Sequence, residues 1–151
     1  MYKIFLSILV LFLLSCSMDY SLEKATVTYI GFDFSSKGAN SDPSQNDIVA
    51  ILDYNPSSST ITREGYIYFL INEKSKKQDI VDLGEAPFNS IDRVSYSMFT
   101  DSVCPPVMAG HLYIIKCKDG YAKVYVVSFR GESLLRLQVN IMYEFSSDSV
   151  F

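Results

Sequence analysis

The feature that most constrains the fold of this 151-residue chain is an alternating segment near its C-terminus. Between residues 135 and 145 every second residue is apolar: Leu135, Leu137, Val139, Ile141, Tyr143 and Phe145. The intervening residues are mostly polar: Arg136, Gln138, Asn140, Met142 and Glu144. Successive side chains of a strand point to opposite faces, so this pattern predicts an antiparallel strand with one face in the core and the other in water.

Two further strands are predicted just before this one. Residues 111–117 (HLYIIKC) and 121–129 (YAKVYVVSF) are rich in β-branched and aromatic residues, and Lys118-Asp119-Gly120 separates them. An Asp-Gly pair between two such runs favours a hairpin with a type I′ turn, which needs positive φ at both central residues. A second turn at 130–133 then leads into the alternating segment, which completes a three-stranded meander.

Strand-like runs also occupy residues 25–34, 47–54 and 60–72, and the chain has 11 Tyr, 10 Phe and no Trp. This aromatic content favours strands over helices. Both faces of residues 66–71 are apolar, which indicates either central burial or a position between the core and a ligand. We therefore predict an all-β domain, an antiparallel sandwich or flattened barrel that ends in the meander.

The N-terminus carries a different signal. After Lys3, the apolar run IFLSILVLFLL would form about 16 Å of helix, too short for a bilayer core of roughly 30 Å. Its length is typical of a secretory signal peptide, but no A-x-A-like cleavage site follows. The ending Leu13-Leu14-Ser15-Cys16 instead resembles a bacterial lipobox. That resemblance implies cleavage before Cys16 and attachment of acyl chains, two or three of which make a lasting membrane anchor.

The alternative is that Cys16 is an ordinary small residue in a signal or anchor helix. The combination of a lone Lys, a short apolar run and the Leu-x-Ser-Cys ending favours lipidation. The residue after Cys16 is Ser17. An Asp at that position would indicate inner-membrane retention, so Ser17 favours the outer membrane if the host is diderm. We divide the chain into a signal peptide (1–15), a lipidated tether (16–24), one all-β domain (25–146) and a tail (147–151). The predicted location is the cell envelope.

Charge excludes one class of partner. The chain has 13 basic and 17 acidic residues. Lys3 is the one charged residue before Cys16, so cleavage there would leave a net charge of −5. Proteins that bind nucleic acids need a basic surface to neutralise phosphates, and none is visible. We therefore predict no nucleic-acid partner.

The remaining cysteines are Cys104 and Cys117, an even number that makes a disulfide plausible in an exported protein. Two buried free thiols are the alternative, and the residues alone leave both open. No metal site is predicted, because the spacing is not C-x-x-C and the chain contains one His. Asp33, Asp42, Asp47 and Asp53 lack the order of a calcium loop, so a solvated loop is expected there.

The blocks VDLGEAPFNSID (81–92) and GHLYIIKCKDGYAKVYVVSF (110–129) resemble the HmuY family of haem-binding surface lipoproteins, with weaker support from GFDFSSK (31–37). The resemblance covers roughly residues 81–145 and implies a lipid-anchored all-β protein that holds haem iron between two axial side chains. With one His available, the candidate ligands are His111, Met98 and Met108, because His and Met both ligate haem iron. The alternatives are a surface or capping histidine and space-filling methionines.

No catalytic motif such as G-x-S-x-G or H-E-x-x-H is present, so we predict a protein that is not an enzyme. Two functions stay open. In the first, the protein binds haem or another small apolar ligand in a pocket lined by Tyr66, Tyr68, Tyr96 and Phe99. In the second, it is a surface interaction or adhesion module whose loops at 35–46, 73–79 and 100–109 contact another protein. The second function predicts an exposed aromatic patch on one rim of the domain.

Overall fold

The computed structural model describes residues 22–52, 54–55, 60–61, 66–71, 79–99, 104–131 and 133–151. The predicted signal peptide and Cys16 lie outside these residues. The described part contains nine strands: β1 (Glu23–Val27), β2 (Ile48–Leu52), β3 (Tyr54–Asn55), β4 (Thr60–Ile61), β5 (Ile67–Ile71), β6 (Ile80–Asp82), β7 (Leu112–Lys116), β8 (Tyr121–Arg130) and β9 (Gln138–Ser146). Short 3₁₀ turns span Pro43–Gln45, Phe88–Ser90, Tyr96–Met98 and Leu134–Arg136. Among the described residues, no helix has the length and apolar character needed to cross a membrane.

The strands form two antiparallel sheets and a short two-stranded ribbon. The large sheet has the order β1-β9-β8-β7-β6, and β2 pairs with β5 in the second sheet. The ribbon joins β3 to β4. The predicted meander is present as β7, β8 and β9, so the prediction of an all-β sandwich ending in a meander is confirmed.

The inner face of the large sheet forms the core, and β9 lies near its centre between β1 and β8. Leu137, Val139, Ile141 and Tyr143 are buried, whereas the residues between them are only partly covered. The predicted alternation is therefore correct from Leu137 onward. It is wrong at Leu135, which is 72% exposed because the 3₁₀ turn Leu134–Arg136 precedes the strand.

The second sheet covers this core through Ile48, Ala50, Ile67 and Phe69, all buried. The ring of Phe69 meets that of Tyr113 on β7 edge to face, with 6.2 Å between the ring centroids.

Residues 104–108 close the core beside β5. The buried hydroxyl of Tyr113 donates to the Pro106 carbonyl oxygen at 3.0 Å and accepts from the Met108 N–H at 2.8 Å. The Val107 N–H donates to the carbonyl of Ile67 at 2.7 Å. Tyr68 and Phe69 point to opposite faces of β5 and are thus both buried. This favours central burial of these residues over a position between the core and a ligand.

The outer face of the large sheet is partly covered by residues 83–99. Leu112 and Ile114 point to this face and are fully buried. Beside them, the Lys123 ammonium lies 4.8 Å from the centroid of the Phe88 ring and 4.6 Å from that of Phe151, and it pairs with Glu144 at 2.9 Å.

The C-terminal residues belong to the folded domain. The Val94 N–H donates to the Ser149 carbonyl at 2.8 Å, and the Phe151 N–H donates to that of Asp92 at 2.9 Å. Strand β1 likewise begins at Glu23, inside the predicted tether. The described domain therefore extends beyond the boundaries 25 and 146 at both ends, because backbone pairing continues past the apolar pattern that defined them.

The hairpin between β7 and β8 is present, but its turn is not type I′. Neither Asp119 nor Gly120 has a positive φ. Gly120 is required for a different reason, because a Cβ there would overlap the Ser146 carbonyl oxygen on β9 and the ring of Phe145. The sequence signal was correct for the hairpin and wrong about the backbone geometry.

We expect Gly120→Ala to destabilise the domain by about 1–3 kcal/mol, because the new methyl group must displace the β9 backbone. Gly38→Ala is the matched control: nothing lies within 4 Å of a Cβ at Gly38, so its effect should stay within about 0.5 kcal/mol. Urea denaturation of both variants measures the difference. Equal stability of the two would contradict the close approach.

Candidate functional site

The structure does not bring the three candidate haem ligands together. His111 and Met108 are neighbours, since the His111 N–H donates to the Met108 carbonyl at 3.3 Å. Met98 ends the 3₁₀ turn Tyr96–Met98, and Tyr96 lies under Lys116 at the far end of β7. The length of β7 is about 13 Å, so a site that combines His111 with Met98 is not formed.

His111 is held by a carboxylate. Its Nδ1 lies 3.0 Å from Asp82 Oδ2 and 3.1 Å from Oδ1, and its ring stacks on that of Tyr113. Asp82 also accepts the Gly84 N–H at 2.7 Å. The described residues contain no group of three or more His, Cys, Asp or Glu side chains placed to hold a metal ion. This arrangement fixes the orientation of the imidazole at the edge of the sheet.

The four residues predicted to line a pocket do not converge. Tyr66 and Tyr68 belong to the β5 region on the inner side, where Tyr68 is buried and Tyr66 is 48% exposed. Tyr96 is 64% exposed on the outer face, and Phe99 stacks on Tyr121 there. The large sheet separates the two pairs, so the prediction of one pocket lined by all four is wrong.

Both cysteines are buried free thiols, so of the two possibilities that the sequence left open the structure has the free thiols. The Cys104 thiol donates a hydrogen bond to the Phe69 carbonyl at 3.0 Å, which holds Cys104 against β5 of the second sheet. Burial raises the pKa of Cys104 to about 12, and burial together with the nearby carboxylate of Asp47 raises that of Cys117. Neither thiol has the thiolate character that a reactive cysteine requires.

A buried polar network fastens the loop after β1 to the β7–β8 hairpin. Asp33, Asn46 and Asp47 are all buried, so the expectation of a solvated loop is wrong for both aspartates. The Lys118 ammonium donates to Asp33 Oδ2 at 2.9 Å and to the Gln45 carbonyl at 2.6 Å. Lys118 thus provides the positive charge that this loop needs.

The pKa values of the two aspartates shift in opposite directions. Burial alone would raise the pKa of Asp33, but donors from Lys118, Ser36 and Ser35 outweigh it and lower that pKa to about 2. Burial raises the pKa of Asp47, and the N–H groups of Phe34 and Lys118 offset only part of this effect. The network is therefore anionic at Asp33 and depends on Lys118.

The end of the domain that holds the β8–β9 connection exposes a set of apolar side chains. We call this set the tip patch. Its members are Tyr29, Ile30, Phe129, Leu134 and Leu135. The register Val27↔Val139 and Phe129↔Val139 places the end of β1 and the end of β8 at this same end of the sheet.

Gly131 and residues 133–137 of the β8–β9 connection have a defined backbone geometry. Gly131 has φ 107°, and a Cβ there would overlap the Arg136 carbonyl. The Arg136 and Leu137 N–H groups donate to the carbonyls of Ser133 and Leu134 at 2.9 and 3.3 Å. The connection therefore presents Leu134 and Leu135 outward in a defined geometry.

Sequence reasoning missed the tip patch, since it assigned Leu135 to the core. One signal was available: Leu134 and Leu135 are adjacent, and adjacent residues of a strand cannot both face the same core. A pair of neighbouring leucines therefore marks the point where the strand pattern fails.

The outer face of the large sheet also carries open clefts. One of about 590 Å³ lies over β1, β9 and β8 beside Thr26, Asn140 and Met142. Another of about 500 Å³ lies between residues 85–88 and the pair Tyr125 and Met142. Thr26 Oγ1 donates to Asn140 Oδ1 at 2.9 Å, so polar groups on this floor bond each other.

Comparison with known proteins identifies no relative: no family model, no curated protein and no solved structure matches the chain.

We expect Lys118→Met to destabilise the domain by about 1–3 kcal/mol at pH 7, because Asp33 would stay buried without its cation. The folded pKa of Asp33 is below its ordinary value of 3.8, so its stabilising effect is complete above about pH 4 and disappears as the pH falls through 2. The difference between variant and wild type should therefore shrink over that range. Denaturant unfolding at pH 7, 4, 3 and 2 measures it.

Lys37→Met is the matched control for that substitution. Lys37 pairs with Glu23 at 2.6 Å, but both side chains are largely exposed. Its loss should cost less than about 0.5 kcal/mol. If the two lysine variants behaved alike, the buried network would not be what fastens the loop.

Proposed function

We propose that this protein is an exported bacterial lipoprotein, anchored to the cell envelope through Cys16, that acts as a binding protein and not as an enzyme. We further propose that it contacts its partner through an exposed surface, as a protein–protein interaction module. The observation that carries this second statement is the tip patch, which sets exposed apolar side chains together at one end of the sheet.

Internal packing supports a surface over an internal pocket. The rings of Phe32, Phe34 and Tyr143 contact one another edge to face, with centroids 5.3–5.5 Å apart. Phe69 and Tyr113 meet in the same way. Close-packed rings of this kind fill the volume between the sheets that a flat apolar ligand would need.

The position of β1 supports the anchor. Strand β1 begins at Glu23, seven residues after Cys16, and pairs with β9 at once. A short polar segment between a lipidated cysteine and the first strand of a domain is the arrangement that a membrane tether requires.

Cys16→Ala should abolish acylation and cleavage of the leader, because Cys16 is the acceptor in this proposal. Mass spectrometry of the protein extracted from native membranes measures the modification, and we expect a mature chain that begins with an acylated Cys16. Cys104→Ala is the control and should keep the acyl groups. An intact leader without acyl groups would refute the anchor.

Binding of haem or a similar small apolar ligand is the second candidate, favoured by the adjacency of His111 and Met108. We expect no saturable Soret shift when haemin is titrated into the domain that begins after Ser17. A shift that is lost in both His111→Ala and Met108→Ala, but retained in Met98→Ala, would replace surface binding with haem binding as the function.

A further inference from the structure

We propose that the tip patch docks a second envelope protein whose own contact surface is apolar and rimmed by carboxylates. The inference rests on the proposed function and adds the surface and the chemistry of the partner.

The side chains of the tip patch are large, apolar and exposed. Leu135 is 72% exposed, and Tyr29, Ile30, Phe129 and Leu134 are each more than a third exposed. Single exposed apolar residues are common, but a group of them at one end of a domain marks a contact surface. Aromatic residues with adjacent arginines are also the residue types enriched at the centres of protein interfaces.

The backbone that carries Leu134 and Leu135 is preorganised. The close approach at Gly131 and the backbone hydrogen bonds within residues 133–137 define its conformation. A surface held in one conformation loses less conformational entropy when it binds.

The edge of the tip patch carries positively charged side chains. Arg130 and Arg136 are exposed beside the tip patch, and none of the ion pairs among the described residues includes either of them. The Arg130 Nε donates to the Gln138 side chain at 2.7 Å, which holds that guanidinium at the edge of the patch. Residues 130–136 contain these two arginines and one acidic residue, Glu132, so this cationic rim has a net charge of +1 in a chain that is acidic overall.

A cationic rim selects the partner. Carboxylates on the partner would meet the guanidinium groups with favourable geometry, since arginine binds carboxylates bidentately. A second copy of this chain docked symmetrically through its own tip patch would bring its Arg130 and Arg136 against them, and like charges across an interface are unfavourable. We therefore infer a different protein as the occupant.

Site-specific photocrosslinking in cells of the source bacterium tests this inference on the full-length protein. A benzoylphenylalanine replaces Leu135 in one strain and Tyr96 in the control strain. Tyr96 is 64% exposed but lies on the outer face, away from the tip patch. We expect an adduct with one envelope protein from position 135 and none from position 96.

Charge reversal supplies the second measurement. Arg136→Glu, combined with the probe at position 135, should reduce that adduct about tenfold, which corresponds to a loss of about 1.4 kcal/mol of binding free energy. Replacing the facing carboxylate of the identified partner by Lys should restore it. Equal adducts from positions 135 and 96, an adduct insensitive to Arg136→Glu, or crosslinking to lipid or to a second copy of this chain would each overturn the inference.

The acylation state of the same samples separates the two proposals. Acylated protein that gives no adduct from position 135 refutes docking at the tip patch and leaves the anchor intact. Protein without acyl groups refutes the anchor, and an adduct from position 135 that depends on Arg136 would then still establish the docking surface.

Discussion

Burial of one face of β9 is the interaction on which the other parts of the molecule depend. β9 lies between β1 and β8, and its inner residues Leu137, Val139, Ile141 and Tyr143 are covered by the second sheet. Each such apolar side chain contributes roughly 1.5–3 kcal/mol when it is fully buried. Because a shift of one residue would turn all of them toward solvent, this burial also fixes the register of the sheet.

Two lysines then join the loops to this sheet through charge. Lys118 lies at the β7–β8 turn and holds the loop that contains Asp33. Lys123 lies on the outer face, pairs with Glu144 and contacts the rings of Phe88 and Phe151. Buried charges need partners of opposite sign or aromatic faces, so each lysine orders the chain segment that supplies those partners.

With the inner face filled and the outer face partly covered, one end of the sheet is left to present apolar side chains to solvent. The β8–β9 connection gives that end a defined shape through Gly131 and the turn Leu134–Arg136. This combination of a packed interior and an exposed, ordered end supports surface recognition. It also explains why candidate pocket residues chosen from the sequence lie on both sides of the large sheet.

The strands and the meander were predictable because alternation and the Asp-Gly signal are local properties of the chain. The candidate site was not. His111, Met98 and Met108 are near in sequence, yet β7 sets Met98 at the far end from His111. Similarly, the even cysteine count left a disulfide and two free thiols equally open, and the structure places Cys104 against β5, where its thiol donates a hydrogen bond to the Phe69 carbonyl.

The all-β class, the buried face of the last strand and the position of the β7–β8 hairpin all follow from the sequence, because a period of two and an Asp-Gly pair are local properties of the chain. The burial of Asp33 and Asp47, the ion pairs Lys118–Asp33 and Lys123–Glu144, and the exposure of Leu135 follow from the packed structure alone. These depend on contacts between segments separated by tens of residues, and such contacts form only when the two sheets and their loops pack against each other.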